Sequence, residues 1–108
     1  MKPAVRTTIA AVSLLAAALP AAGAEPDGKE VFDRHCIHCH GPGSEPGTLQ
    51  LARTRGQERA LLTERSDLVP EYIEAVVRNG LKAMPAFVPS DLTDVQLEAL
   101  VQYLTAPR

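Results

Sequence analysis

Chemistry is most concentrated in the stretch Cys36-Ile37-His38-Cys39-His40. Two thiols three residues apart on a helical turn lie near one face of it. A histidine follows the second thiol at once. This C-x-x-C-H spacing is the pattern of covalent haem attachment. Haem carries two vinyl groups on neighbouring pyrroles, and each thiol adds across one of them. The two thioethers fix the porphyrin against the helix end. The next imidazole is then delivered to the iron. Cys36 and Cys39 are therefore the expected tethers, and His40 is the expected first iron ligand.

Other uses of the same residues fit less well. A thioredoxin-like redox pair needs a βαβ context, and no alternating strand pattern is present. Zinc wants four ligands. The chain has 2 Cys and 3 His, and His35, His38 and His40 all lie within this one segment. A disulfide between Cys36 and Cys39 would close too small a loop to stabilise much.

The elements that position the motif begin after an export signal. Lys2 and Arg6 supply a positive start, Ile9 to Leu19 is an apolar run broken by Ser13, and Pro20 ends it. Ala22-Gly23-Ala24 is an A-x-A cleavage pattern. The run is short for a bilayer span. Residues 1–24 are thus expected to be a cleaved signal, and residues 25–108 one small domain. Such a domain has a thin core and needs a staple or a cofactor. Export also suits the thiols, because thioether formation consumes both. The formal net charge of −2 becomes more negative once Lys2 and Arg6 leave. That balance argues against nucleic-acid binding.

Within residues 25–108, Asp27 can cap a helix from Gly28 to about Cys39. Gly28, Phe32 and Cys36 share one face of it. Gly41 to Gly47 reads as loop. Thr48 to Asp67 has the weakest pattern, with four arginines and a short helix expected over Glu58–Arg65, Leu61 and Leu62 turned inward. Pro70 opens a helix that Gly80 stops, with Tyr72, Ile73, Val76 and Val77 as its apolar stripe. Pro85 and Pro89 keep the following Met84 loop extended and restrained. Thr93 and Gln96 form a capping box for a last helix, with Leu92 and Leu97 as a hydrophobic staple. Leu97, Leu100, Val101 and Leu104 give that helix one apolar face. The expected fold is all-α: three main helices plus loops wrapped around one haem.

On these residues the chain resembles a small class I c-type cytochrome. The resemblance runs from Gly28 to Leu104 and covers Thr48 to Ser66 only loosely. It implies that Leu100 and Tyr103 cross the first helix over Gly28 and Phe32. It implies that a proline carbonyl, Pro46 or its competitor Pro42, accepts from the second ring nitrogen of His40. It also implies that an arginine, best matched by Arg65, meets a haem propionate. A narrower resemblance joins Val76-Val77-Arg78-Asn79-Gly80 and Ala83-Met84-Pro85-Ala86-Phe87 to the cytochrome subunits of p-cresol methylhydroxylase and related eugenol or 4-alkylphenol hydroxylases. Gly41-Pro42-Gly43 and Pro46-Gly47-Thr48-Leu49 fit that group too. In it, a flavoprotein oxidises a phenolic substrate and passes single electrons to the bound cytochrome.

The second iron ligand follows largely by elimination. No histidine lies outside the attachment segment, and Met84 is the only methionine after Met1. Its thioether suits iron. Lys82 and Tyr72 remain as alternatives. His/Met ligation leaves no open coordination position, which points to an electron carrier rather than an enzyme. The expected product is a periplasmic monohaem cytochrome c with a flavoprotein redox partner. The alternatives are a soluble carrier to a terminal oxidase or another periplasmic dehydrogenase, and an open-site haem enzyme or sensor.

Overall fold

Asp27 starts the fold. Its side chain accepts from the Lys29 backbone N–H at 2.8 Å, satisfying one of the donors that every helix leaves bare at its start. The computed structural model describes residues 1–4 and 23–108, so the apolar run read as an export signal lies outside the described residues. Helix α1 spans Gly28–His35 and buries Val31 and Phe32.

The helix does not run unbroken to Cys39 as expected. Cys36 takes φ −119° and leaves the helix, and a single further turn, α2, spans Ile37–His40. The Cys36 carbonyl accepts from the backbone N–H of both Cys39, at 3.1 Å, and His40, at 2.9 Å.

The region from Gly41 to Asp67 needs a second correction. The expected loop and weak segment contain helix α3, Pro46–Arg55. Proline opens it at its first position, and Gly56, with φ +95°, ends it. Only Thr48 of its residues is buried, so the helix carries no apolar stripe that a periodic pattern could reveal. The short helix expected over Glu58–Arg65 is replaced by two 3₁₀ turns, Gln57–Arg59 and Leu62–Glu64. Ala60 between them is fully buried, while Leu61 and Leu62 are half-buried.

Helix α4 spans Pro70–Asn79 and buries Ile73 and Val77. Tyr72, expected in that stripe, stands exposed. Helix α5 spans Asp94–Thr105 and carries the expected capping box: Thr93 accepts from the Gln96 N–H, and Gln96 accepts from the Thr93 N–H. Leu92 and Leu97 are both buried, as a staple requires.

The described residues thus form five α-helices where three were expected, with no strand and one isolated bridge between Leu81 and Met84. No helix among them is long and apolar enough to cross a membrane. Helix α5 packs on both α1 and α4. Its Leu97, Leu100, Val101 and Leu104 meet Val31 and Phe32 of α1 and Ile73 and Val77 of α4 in one core. Gly28 sets the crossing. A Cβ there would stand 2.1 Å from the Ala99 carbonyl oxygen and 2.6 Å from Tyr103 Cβ. The Tyr103 ring packs on Phe32 with centroids 5.9 Å apart. Tyr103 takes the place the family resemblance implied for it, whereas the atom closest to Gly28 belongs to Ala99 rather than Leu100.

Candidate haem site

A group of apolar residues packs against this core without being covered by it. Cys36 and Ile37 come from the motif, Leu62 and Leu68 from the segment before α4, and Met84 and Phe87 from the loop after it. All six are only partly buried. Their common chemistry is apolar, with one thiol and one thioether sulfur among them.

The two thiols are free and differ in burial, Cys36 half-buried and Cys39 exposed. Burial, with the neighbouring Cys39 adding to it, pushes the Cys36 thiol up to about 11. A redox-active or nucleophilic cysteine needs the opposite shift, toward thiolate at neutral pH. The thioredoxin-like reading therefore has no support in the environment of Cys36. Among the described residues, no three His, Cys, Asp or Glu side chains converge to hold a metal ion.

His40 differs from His38, the motif's other histidine, which is exposed. His40 is half-buried, and burial lowers its pKa, favouring the neutral ring that can ligate iron. Its Nδ1 is buried with no hydrogen-bond partner. A buried ring nitrogen without a partner is costly unless the ring is held for another purpose. The wall beside it is Gly47, where a Cβ would lie 2.6 Å from the Cys39 carbonyl oxygen and 3.1 Å from His40 Nδ1. The loop beneath is pinned by Thr48, whose buried hydroxyl donates to the Gly41 carbonyl at 2.7 Å. The Gly41 N–H in turn donates to the Ile37 carbonyl at 2.7 Å. Gly47 and Thr48 were not singled out as site residues by sequence reasoning. Their one signal was the P-G-T that follows C-H-G after four residues. Pro46 opens α3 one residue before Gly47, and its carbonyl is not bonded to His40 Nδ1.

Met84 is half-buried and sits in a loop fixed at both ends. Leu81 and Met84 exchange backbone hydrogen bonds, at 3.0 and 2.9 Å, in a tight turn with Lys82 at φ +54°. Gly80, at φ +73°, lets that turn lie against the end of α4: a Cβ there would come 2.7 Å from the Met84 carbonyl oxygen. Further along, Phe87 N–H donates to the Val77 carbonyl at 2.8 Å. The Phe87 ring meets His35 edge-on, with centroids 6.2 Å apart, so the loop touches the end of α1 just before the motif. Lys82 and Tyr72, the alternative ligands, are both exposed.

Arg65 is nearly covered, its side chain 12% exposed, and engaged. Nε and Nη2 donate to the two carboxylate oxygens of Asp67, each at 2.8 Å. Its Nη1 takes no part in that fork. Arg59 Nε lies 3.8 Å from the same carboxylate, so the cluster carries two cations to one anion.

Two free thiols in C-x-x-C-H order, a half-buried imidazole with an unpartnered nitrogen, a pinned thioether and partly buried apolar neighbours are the donor set and lining that a haem takes. The comparisons with known proteins agree. Residues 23–104 match the family model for cytochrome c oxidase, cbb3-type, subunit III. The chain is similar to the 4-cresol dehydrogenase [hydroxylating] cytochrome c subunit of Pseudomonas putida, 37% identical over 79 residues that make up 73% of this chain. It spans 58% of the length of that curated relative. Two crystal structures of p-cresol methylhydroxylase contain a chain similar in fold. The one with substrate bound gives a TM-score of 0.56 at 32% identity, covering 78% of this chain and 96% of that one. The one at 2.5 Å resolution gives 0.55 at 32% identity, covering 78% and 97%. By its match over residues 23–104, the chain belongs to the c-type cytochrome family of the cbb3-type oxidase subunit III, with covalently bound haem c as its cofactor.

Proposed function

We propose that this chain is an exported monohaem electron carrier that accepts single electrons from a flavoprotein dehydrogenase or hydroxylase acting on a phenolic substrate. The observation that carries the reading is one pairing: the C-x-x-C-H turn, with its half-buried neutral His40, and the single pinned methionine Met84. Cys36 and Cys39 would form the two thioethers, and His40 and Met84 would hold the iron. Similarity to the cytochrome c subunit of 4-cresol dehydrogenase supports the partner and its substrate class.

The bound haem supplies a one-electron couple at its iron. The protein does the rest. Cys36 and Cys39, at and just after the α1–α2 break, would tether the cofactor there. His40 would present a neutral nitrogen; its Nδ1, unpartnered in the fold, would gain the Pro46 carbonyl as acceptor with the haem bound, and such a bond fixes a ligating imidazole and raises its basicity. The Met84 thioether would fill the remaining position on the iron and so keep substrates and gases from the metal. The apolar side chains of Ile37, Leu68 and Phe87 exclude water and limit reorganisation. Arg65, held by Asp67 but with Nη1 outside that fork, is the proposed partner of a propionate. The exposed Ala83, Pro85 and Ala86 surround the ligand and offer a small docking rim.

The name of the matching family favours a second reading, a carrier that serves a terminal oxidase. Purification of the protein from the periplasm of its own cells separates the two. Copurification of a flavin-containing subunit supports the first. Copurification with an oxidase, and no flavin, supports the second. Periplasmic placement rests on Lys2, Arg6, the apolar run and Ala22-Gly23-Ala24. N-terminal sequencing of the mature protein is expected to begin at Glu25, and retention of Met1 would overturn the cleavage.

A further inference from the structure

Arg78 lies in the last turn of α4, where a cation complements the helix dipole. In the fold it reaches much further. Its Nη1 donates to the Phe87 carbonyl at 3.0 Å and to the Leu92 carbonyl at 2.8 Å. Its Nη2 donates to the Asp94 carboxylate in the first turn of α5. One planar group thus binds the helix before the Met84 loop, the return limb of that loop, and the helix after it. The Arg78 side chain is 22% exposed, whereas Asp94 is 86% exposed. The two carbonyl bonds therefore matter more than the ion pair, which water and salt screen.

The Phe87 peptide shows the arrangement most clearly. Its N–H donates to the Val77 carbonyl in the last turns of α4, and its C=O accepts from Arg78 one residue later. Both polar groups of that peptide are held by α4. Leu92, whose carbonyl takes the second bond, is 1% exposed and locked in the core. At the near end the loop is held by the reciprocal Leu81–Met84 bonds and the close approach at Gly80. The return path from Met84 to Leu92 is fixed at Phe87 and at Leu92 by the same guanidinium.

We propose that Arg78 is a positioning residue for the Met84 side of the iron site: by tying Phe87 and Leu92 to α4 and α5, it sets how firmly Met84 holds the sixth coordination position. The proposal rests on the reading of Met84 as that ligand. A lysine cannot replace the function, because an ammonium is a point donor and lacks the fork that spans two carbonyls and a carboxylate.

The test uses the ferric holoprotein and free imidazole as a competitor for the sixth position. The readout is the imidazole concentration that half-removes the weak red absorbance band of Met–iron bonding, measured beside the thermal unfolding midpoint. Arg78→Gln is expected to lower that concentration by about tenfold, the loss of two charge-assisted hydrogen bonds to the loop. Arg78→Lys is expected to lower it by a smaller factor. Val101→Ala, a core change in α5 that touches none of these bonds, is the control for plain destabilisation; it is expected to alter the concentration by less than about twofold. Wild-type competition in both Arg78 variants, or a Val101→Ala shift as large as theirs, overturns the proposal. Should Arg78→Gln not mature, Arg78→Lys decides by the same criterion. Met84→Ala separates the two claims. A band that survives in it sinks the ligand reading and the proposal together. A band lost in it, with unaltered competition in the Arg78 variants, sinks the role of Arg78 alone.

Discussion

The Gly80 α-carbon lies so close to the Met84 carbonyl that a methyl group at Gly80 would stand 2.7 Å from that oxygen and 3.0 Å from the Ala86 nitrogen. Both neighbours are backbone and cannot rotate aside. The glycine also holds φ +73° and ψ 169°, a region that side chains disfavour. Gly80→Ala is therefore expected to cost about 1–3 kcal/mol in backbone strain alone. Because the clash falls on Met84 itself, the Met–iron band should weaken even where the protein stays folded. Thermal unfolding together with the ferric spectrum checks both effects. A stable variant with an unaltered band would remove Gly80 from the ligand site.

Gly28 plays the corresponding part at the helix crossing. A Cβ there would meet the Ala99 carbonyl oxygen at 2.1 Å, so α1 and α5 would have to separate. Gly28→Ala is expected to destabilise the holoprotein by about 3 kcal/mol, the upper end of overpacking costs. Denaturant unfolding of purified holoprotein measures it. A loss within experimental error would mean that the crossing is not set at Gly28.

The Asp67 carboxylate gives a pH dependence. The hydrogen bonds from Arg65 hold its pKa down, at about 2 against an ordinary 3.8. A depressed carboxylate stabilises the fold above its unfolded pKa and loses that contribution as pH falls through the folded value. Stability should therefore drop between about pH 4 and pH 2, and Asp67→Asn should flatten the profile in that window. Asp67 is exposed, so the effect should shrink in high salt. Acid unfolding of the two proteins at low and high salt is the measurement; identical profiles would contradict it.

The fold itself should depend on the cofactor. The core joins few residues from three helices, and the apolar group around Cys36, Met84 and Phe87 is only partly buried. A chain with Cys36→Ala and Cys39→Ala, which cannot be tethered to haem, is expected to be largely disordered. Circular dichroism and a thermal scan suffice. A cooperative transition near that of the holoprotein would refute the expectation.

Much of this was legible in the sequence, for physical reasons that differ by element. Helix α5 was the clearest because its signals are local: Thr93 and Gln96 cap it, and Leu97, Leu100, Val101 and Leu104 repeat with its period. The motif residues were legible because covalent chemistry demands their spacing. Helix α3 was hidden because its surroundings, not its own pattern, stabilise it; Thr48 is its one buried residue. The break at Cys36 was hidden because a helix and two helical turns share one period. The reach of Arg78 was hidden because its partners lie 9, 14 and 16 residues away. A long side chain that bonds backbone carbonyls leaves no trace in the identity of the residues it bonds.

The carrier reading rests on the proposal that His40 and Met84 are the two iron ligands and leave no coordination position open. Its decisive test is the ferric absorbance spectrum of the holoprotein and its Met84→Ala variant, each followed by exposure of the reduced form to carbon monoxide. The unaltered protein should show a weak red band, and Met84→Ala should lose it. The reduced unaltered protein should refuse carbon monoxide at neutral pH, and the reduced variant should bind it. A band that persists without Met84, or tight carbon monoxide binding by the unaltered protein, would contradict a site closed by Met84.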